Sequence, residues 1–316
     1  MNLKMIYEAK KNLEGIINET PLLESTQLSK LSKNHVYLKS EHLQKSGSFK
    51  IRGAYNAVKD AVEKGARLVI AASSGNHGQA VALAAKLLGV KAIIVIPKNA
   101  AECKRAAIIG YGGEIEFCGF TSSERISRAI EIANEQAGIF IPPYDDPLII
   151  AGQGTVGLEI TESLPEVDVV IVPIGGGGLI SGVLTAIKES RPEIKVIGVE
   201  PALGNDTYLS LQANKRIKVD ARKTVADGLR TSVPGEKTFP ILQKHLDEIV
   251  LVSEAEIKSA FTFVLERMKQ LIEPSSATTI AALMSDKINV KDKHVVCLIS
   301  GGNIDLSEIN NLINEK

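Results

Sequence analysis

The feature that most narrows the fold of this chain is an alternation. Short β-branched and aliphatic runs recur at Arg67 to Ala72, Lys91 to Pro97, Glu114 to Cys118, Val167 to Ile174, Lys195 to Glu200 and His294 to Ser300. Helical patterns lie between them at Asn76 to Leu88, Thr121 to Ala137, Leu179 to Ser190 and Ala255 to Met268. The strand runs are nearly continuous in apolar character, which marks strands covered on both faces. Such strands joined by helices form parallel sheets, so the class is α/β. A chain of 316 residues exceeds one small core. The prolines and paired aspartates of Ile141-Pro142-Pro143-Tyr144-Asp145-Asp146-Pro147 stop regular structure. The expectation is two interleaved three-layer domains: a large one from residues 1–66 and 142–316, and a small one, 67–141, inserted into it.

Charge excludes some function classes. Lysine plus arginine and aspartate plus glutamate are both 37, so no field of one sign points to nucleic acid or an anionic membrane. The N-terminus is charged and helical in pattern, without a signal core, and the longest apolar runs are strand-length. Cys103, Cys118 and Cys297 are far apart with no CxxC, which reads as three reduced cysteines in or near a core. These features point to a cytoplasmic protein. There is no HExxH and no GxSxG, and the histidines are scattered.

Four segments carry chemistry. Gly175, Gly176, Gly177 and Gly178 follow a strand run and precede a helix; backbone N–H groups gathered there can cradle a phosphate. The plain alternative is a tight turn without a ligand. The spacing does not fit GxGxxG, and no GKS or GKT follows, although Glu200 closes a strand where a dinucleotide unit has its acidic residue. Lys50, in Ser46-Gly47-Ser48-Phe49-Lys50-Ile51-Arg52-Gly53-Ala54, opens a helical stretch. A helix N-terminus and burial both lower a lysine pKa and favour a neutral amine or an imine. Alone, it reads more readily as a solvated surface lysine. Ser73-Ser74-Gly75-Asn76-His77-Gly78 opens an alanine-rich helix whose N–H groups and hydroxyls suit a carboxylate, or whose serines simply cap it. Ser300-Gly301-Gly302-Asn303 places a hydroxyl at a strand's carboxyl end, where open α/β sheets bind ligands. His77 reads as a structural hydrogen-bonder rather than a base.

In order and spacing these four segments, with Ala151-Gly152-Gln153-Gly154-Thr155 and Leu271-Ile272-Glu273-Pro274-Ser275, resemble the serine/threonine dehydratase and serine racemase family. That family has the tryptophan-synthase-β-like fold (fold type II) and uses pyridoxal 5'-phosphate. The resemblance implies that Lys50 forms the imine with the cofactor and moves the α-proton, and that Phe49 packs beside the cofactor. It implies that Asn76 bonds the cofactor's 3'-oxygen, that Gly175 to Gly178 with Leu179 hold its phosphate, and that Ser300 meets the pyridine nitrogen. Ser73, Ser74, Gly75, Asn76 and His77 would bind the substrate. Glu200, Gly204 and Asp206 match a divalent-cation site, Mg²⁺ or Ca²⁺ by their all-oxygen chemistry; the two carboxylates could instead be solvated loop groups. A homodimer without a further regulatory region is also implied.

Ser74 is informative because typical threonine dehydratases carry alanine there and serine racemases carry serine. Two proton-transfer groups on opposite faces are what racemisation requires. Tyr144-Asp145-Asp146-Pro147, by contrast, looks more like the dehydratases. The expected activity is elimination of water from L-serine or L-threonine, giving ammonia and a 2-oxo acid. Serine racemisation and threo-3-hydroxyaspartate ammonia-lyase activity are alternatives. A nicotinamide-dependent oxidoreductase using Gly175 to Gly178 and Glu200, or a silent amino-acid-binding protein, are readings from other classes.

Overall fold

The computed structural model describes residues 1–100 and 102–314. Ten strands are assigned in these residues: β1 (Leu22–Glu24), β2 (His35–Ser40), β3 (Leu68–Ala72), β4 (Lys91–Ile96), β5 (Glu114–Phe117), β6 (Ile139–Phe140), β7 (Val169–Pro173), β8 (Lys195–Pro201), β9 (Glu248–Val252) and β10 (His294–Ile299). The helices are α1 (Leu3–Leu13), α2 (Thr26–Ser32), α3 (Lys50–Glu63), α4 (Asn76–Leu88), α5 (Glu102–Gly110), α6 (Ser122–Glu135), α7 (Pro147–Ser163), α8 (Gly178–Ser190), α9 (Asp206–Ala213), α10 (Thr238–His245), α11 (Glu254–Phe263), α12 (Pro274–Met284) and α13 (Ile309–Asn314). The sequence-based strands and helices fall on these within a residue or two. In place of the last turn expected in Ala255 to Met268, α11 continues as a π-helical turn, Val264–Met268, ended by left-handed Lys269. Over one turn, hydrophobic spacing does not separate the two helix types.

The strands form two sheets. One has the order β1-β2-β10-β7-β8-β9, parallel except for β1, and the other the order β5-β4-β3-β6, all parallel. This is a mixed α/β architecture, as the alternation implied. Each sheet reverses its direction of winding once. In the first, β7, β8 and β9 run outward one way and β10 lies on the other side of β7. In the second, β3, β4 and β5 run one way and β6 lies on the other side of β3. At such a switch point the connections leave in opposite directions and a crevice opens beyond the carboxyl ends of the strands.

Helix α7 sits between α3 and α8, and small residues let the backbones approach. A Cβ on Gly152 would lie 2.6 Å from Gly53 Cα, and a Cβ on Gly182 would lie 2.5 Å from Gly154 N. Close backbone approach thus accounts for the glycines of Ala151-Gly152-Gln153-Gly154-Thr155. Under α3 lies a buried charged group assembled from distant parts of the chain. Arg52 Nε and Nη2 donate to Glu41 at 2.8 Å each, and Nη1 and Nη2 donate to Glu159 at 2.5 and 2.8 Å. Lys39 Nζ donates to Glu159 at 2.5 Å and to Thr20 O at 2.6 Å. Burial alone would raise the Glu41 carboxyl, but the Arg52 and Lys39 charges outweigh it and hold the pKa below the ordinary value.

One cysteine departs from expectation. Cys297 is buried in β10 and half-buried Cys118 packs against a core cluster, but Cys103 is exposed. Cys103 lies on the first turn of α5 and its Sγ donates outward to Asp305, so apolar character did not decide its placement. No described helix is long and apolar enough to cross a membrane.

Removing one member of the buried charged group leaves the others without partners. Arg52→Met should cost about 3–5 kcal/mol, the order found for breaking buried ion pairs. Urea denaturation of the purified variant measures it, and a loss below about 1 kcal/mol, as for a surface pair, would contradict the packing described.

Candidate active site

The two switch points face each other. The turn after β3 carries Ser73 to Asn76, the turn after β6 carries Pro143 and Tyr144, the turn after β7 carries the four glycines, and the turn after β10 carries Ser300 to Asn303. Contacts join all four. Lys50 Nζ donates to Pro143 O at 2.8 Å. Asn76 Nδ2 lies 3.0 and 2.9 Å from the two Glu273 oxygens, and Asn303 Nδ2 donates to Asn76 Oδ1 at 2.8 Å. Tyr144 lies against the glycine turn.

Lys50 begins α3, and Phe49 precedes it as the N-cap without a side-chain cap. Its turn is stapled to the end of β10: Phe49 N donates to Ser300 O at 3.0 Å, Gly302 N to Gly47 O at 2.9 Å, and Ser48 bridges Gly301. Desolvation lowers the Lys50 pKa to about 8, against the opposing pull of Glu273. A useful fraction of the amine is therefore neutral near physiological pH. The ammonium also lies 5.2 Å from the Phe49 ring centroid.

Gly177 has φ 90°, a left-handed conformation open to glycine, and caps α8 without a side-chain bond. The Gly176 carbonyl points away, accepting from Thr238 Oγ1 at 2.8 Å and from Gly235 N at 3.3 Å. A Cβ on Gly176 would reach within 2.5 Å of the Tyr144 ring, and one on Gly178 within 2.8 Å of Tyr144 Cβ. Gly176 and Gly178 are thus required by Tyr144, and Gly177 by its backbone conformation and by Thr238. The first-turn N–H groups of α8, Leu179 included, make an uncapped, positive helix end.

At α4 the serines are not the cap. Gly75 holds that position without a side-chain bond, and Ser73 Oγ accepts from Gly75 N at 3.2 Å. The half-buried Ser74 hydroxyl has no partner among the described residues. His77 Nε2 donates to Ile141 O at 2.8 Å; desolvation and the nearby Lys50 charge push its pKa down to about 3, so it stays neutral and is no base. Ser300 Oγ lies 3.0 Å from Ser276 Oγ at the end of β10.

Glu200, near the carboxyl end of β8, forms a separate cluster with Gly204 and Asp206 just past it. Glu200 is buried and accepts from Thr207 N at 3.0 Å and Tyr208 N at 2.8 Å. Both Asp206 oxygens are buried without a hydrogen-bond partner. Burial, and for Glu200 the Asp206 charge as well, raise these carboxyls to about 8 and about 7. Glu200 is therefore closed to a ribose, which removes the structural basis of the dinucleotide reading.

Sequence reasoning gave no role to Glu273, Tyr144, Asn303 or the Pro143 carbonyl. Glu273 lies buried against Asn76, and desolvation and Asp227 raise its pKa to about 8 despite Asn76, Lys104 and Lys50. The only signal was that each sits in a segment quoted for its pattern.

A family model described as pyridoxal-phosphate dependent enzyme matches residues 13–301. An L-threonine ammonia-lyase of Thermotoga maritima is 44% identical over 100% of this chain and 79% of the relative. A serine racemase of Dictyostelium discoideum is 43% identical over 99% of this chain and 98% of the relative. The structure of maize serine racemase superimposes with a TM-score of 0.94 at 36% identity, covering 98% of this chain and 96% of that one.

The raised Glu273 pKa has a consequence for stability. The folded state holds this proton more tightly than the unfolded state, so the contribution is complete below 4.5 and is lost as pH rises towards about 8. Glu273→Gln keeps an acceptor for Asn76 but does not titrate. Melting curves of the cofactor-free proteins across that window should therefore show the wild type losing stability relative to Glu273→Gln; parallel curves would contradict the shift.

Proposed function

The chain belongs to the pyridoxal-phosphate dependent enzyme family, and on that premise we propose that it eliminates water from L-serine or L-threonine, the released enamine then taking up one water as it hydrolyses to ammonia and a 2-oxo acid. The observation that carries this reading is the Lys50 amine, lowered to about 8 and held by Pro143 O at the meeting of the two switch points. The residues fit the cofactor. The uncapped glycine turn suits its phosphate, the Asn76 amide its ring oxygen, the Ser300 hydroxyl its ring nitrogen, and the Phe49 side chain its flank.

When bound, pyridoxal phosphate supplies the electron sink that makes an amino acid's α-hydrogen acidic. The neutral Lys50 amine accepts that α-proton. The Ser73 hydroxyl, the Ser74 hydroxyl and the free N–H groups beginning α4 hold the substrate carboxylate, with Gly75, Asn76 and His77 shaping that end. Ser300, a neutral hydroxyl, does not enforce protonation of the ring nitrogen, which favours prompt loss of the β-hydroxyl over long-lived carbanion chemistry.

Serine racemisation is a second reading, favoured by the uncommitted Ser74 hydroxyl and by the Dictyostelium relative. Ser74 then delivers or removes a proton on the face opposite Lys50. We propose further that Glu200, the Gly204 carbonyl and Asp206 bind Mg²⁺ or Ca²⁺. Two buried carboxyls, one without any partner, support this. Among the described residues no group of three acidic, histidine or cysteine side chains could hold a metal, so backbone and water would complete the shell. A homodimer is the assembly that the sequence resemblance favours, and scattered cysteines without a CxxC fit the cytoplasm.

Three outcomes test these assignments. Lys50→Ala should lose the visible absorbance of the bound cofactor and ammonia release from both substrates; retained turnover would contradict the assignment. Chiral chromatography of L-serine reactions should show D-serine formed by the wild type and not by Ser74→Ala, with pyruvate persisting; no D-serine from the wild type makes Ser74 a carboxylate binder only. Mg²⁺ or Ca²⁺ should stabilise the wild type by about 2.7 kcal/mol at a hundredfold excess over Kd, and Asp206→Asn should abolish the effect in thermal melts.

A further inference from the structure

A side-chain amide has a donor end and an acceptor end, and a negatively charged oxygen is served only by the donor. Which end of Asn76 reaches the crevice is set by Asn303. One end of the Asn303 amide lies 2.8 Å from Ser46 O and 2.8 Å from the Asn76 side chain. A backbone carbonyl only accepts, so that end is the nitrogen, and the Asn76 atom it meets is the oxygen. The Asn76 nitrogen is thereby turned to the Glu273 carboxyl, 3.0 and 2.9 Å away. A main-chain carbonyl at one end and a carboxyl at the other give the whole relay a single polarity.

Asn303 is itself held in place. Gly47 has φ 71°, and a Cβ there would run into the Asn303 amide. The Gly302 N–H to Gly47 O bond and the Ser48–Gly301 bridge fasten its turn to the one leading into Lys50. Asn303 lies beyond β10 of the six-stranded sheet, whereas Asn76 begins the helix after β3 of the four-stranded sheet. A single amide therefore joins the lysine turn, the ring-facing asparagine and the two sheets.

We propose that Asn303 is a positioning residue. By holding Asn76 Oδ1 it presents Asn76 Nδ2 to the cofactor's ring oxygen, and it ties that orientation to the turn carrying Lys50. This rests on the reading that Asn76 faces the ring oxygen.

The test compares holoenzymes: wild type, Asn76→Ala, Asn303→Ala, Asn303→Asp and the Asn76→Ala/Asn303→Ala double variant. The readouts are cofactor Kd by fluorescence titration and the position of the bound cofactor's visible band. Asn303→Ala should weaken cofactor binding about tenfold, the order of one hydrogen bond to a charged group, and move the band in the same direction as Asn76→Ala. Asn303→Asp keeps the size but has no donor, so Asn76 is driven to reverse, and binding should weaken at least as much. With Asn76 already removed, Asn303→Ala should add less than about twofold, because coupled residues are not additive. Wild-type affinity and band in Asn303→Asp would overturn the proposal, as would full additivity in the double variant with the band unmoved by Asn303→Ala. A wild-type band and affinity in Asn76→Ala would instead overturn the reading of Asn76, and the proposal with it.

Discussion

The order of the strands is the constraint on which the rest depends. β10 returns to the far side of β7, and β6 returns to the far side of β3. Each return opens a crevice at the carboxyl ends, and the bonds from Lys50 to Pro143 and from Asn303 to Asn76 join the two openings. Four turns that are distant in sequence thus share one space. The packing of α7 between α3 and α8 fixes the spacing, because glycine contacts on both of its sides admit no side chain.

Buried charge is used in two opposite ways. Around Arg52 two cations and two carboxylates neutralise one another with close hydrogen bonds. Such a group is rigid and chemically quiet, and it lies two residues past Lys50 on the same helix. At Lys50, Glu273, Glu200 and Asp206 compensation is incomplete, and burial moves each pKa towards neutrality. Incompletely compensated groups cluster where ligands bind, because a ligand completes them. The Lys50 crevice and the Glu200–Asp206 cluster both have this character, and His77 does not, since desolvation and the nearby Lys50 charge push its pKa away from neutrality, down to about 3.

Much of this was legible in the sequence, for identifiable reasons. Strands covered on both faces give continuous apolar runs, so five of them could be read directly; β5, an edge strand without a buried residue, shows instead as the alternation Glu114-Ile115-Glu116-Phe117. β1, β2 and β6 could not: β6 has two residues, β1 three, and His35, Lys39 and Ser40 break up β2; β9, an edge strand, does carry a continuous apolar run, Ile249 to Val252, that the sequence reading missed. The glycine turn stood out through local pattern, and Lys50 only in combination with the other three segments. The Arg52 group and the Asn303–Asn76–Glu273 relay did not, because their members are far apart in the chain and ordinary one at a time. Tyr144 against the glycine turn is a tertiary contact of the same kind. Cys103 was misplaced because a lone cysteine carries no pattern that tells one helix face from the other.

The central claim is that the Lys50 amine, and no other, carries the cofactor. Borohydride reduction of the holoenzyme followed by peptide mass spectrometry tests it most directly, because reduction fixes the cofactor to whichever amine holds it. The predicted result is one pyridoxyl-modified peptide, with the modification on Lys50. A modification on any other lysine, or none in a protein that retains its visible absorbance, would contradict it.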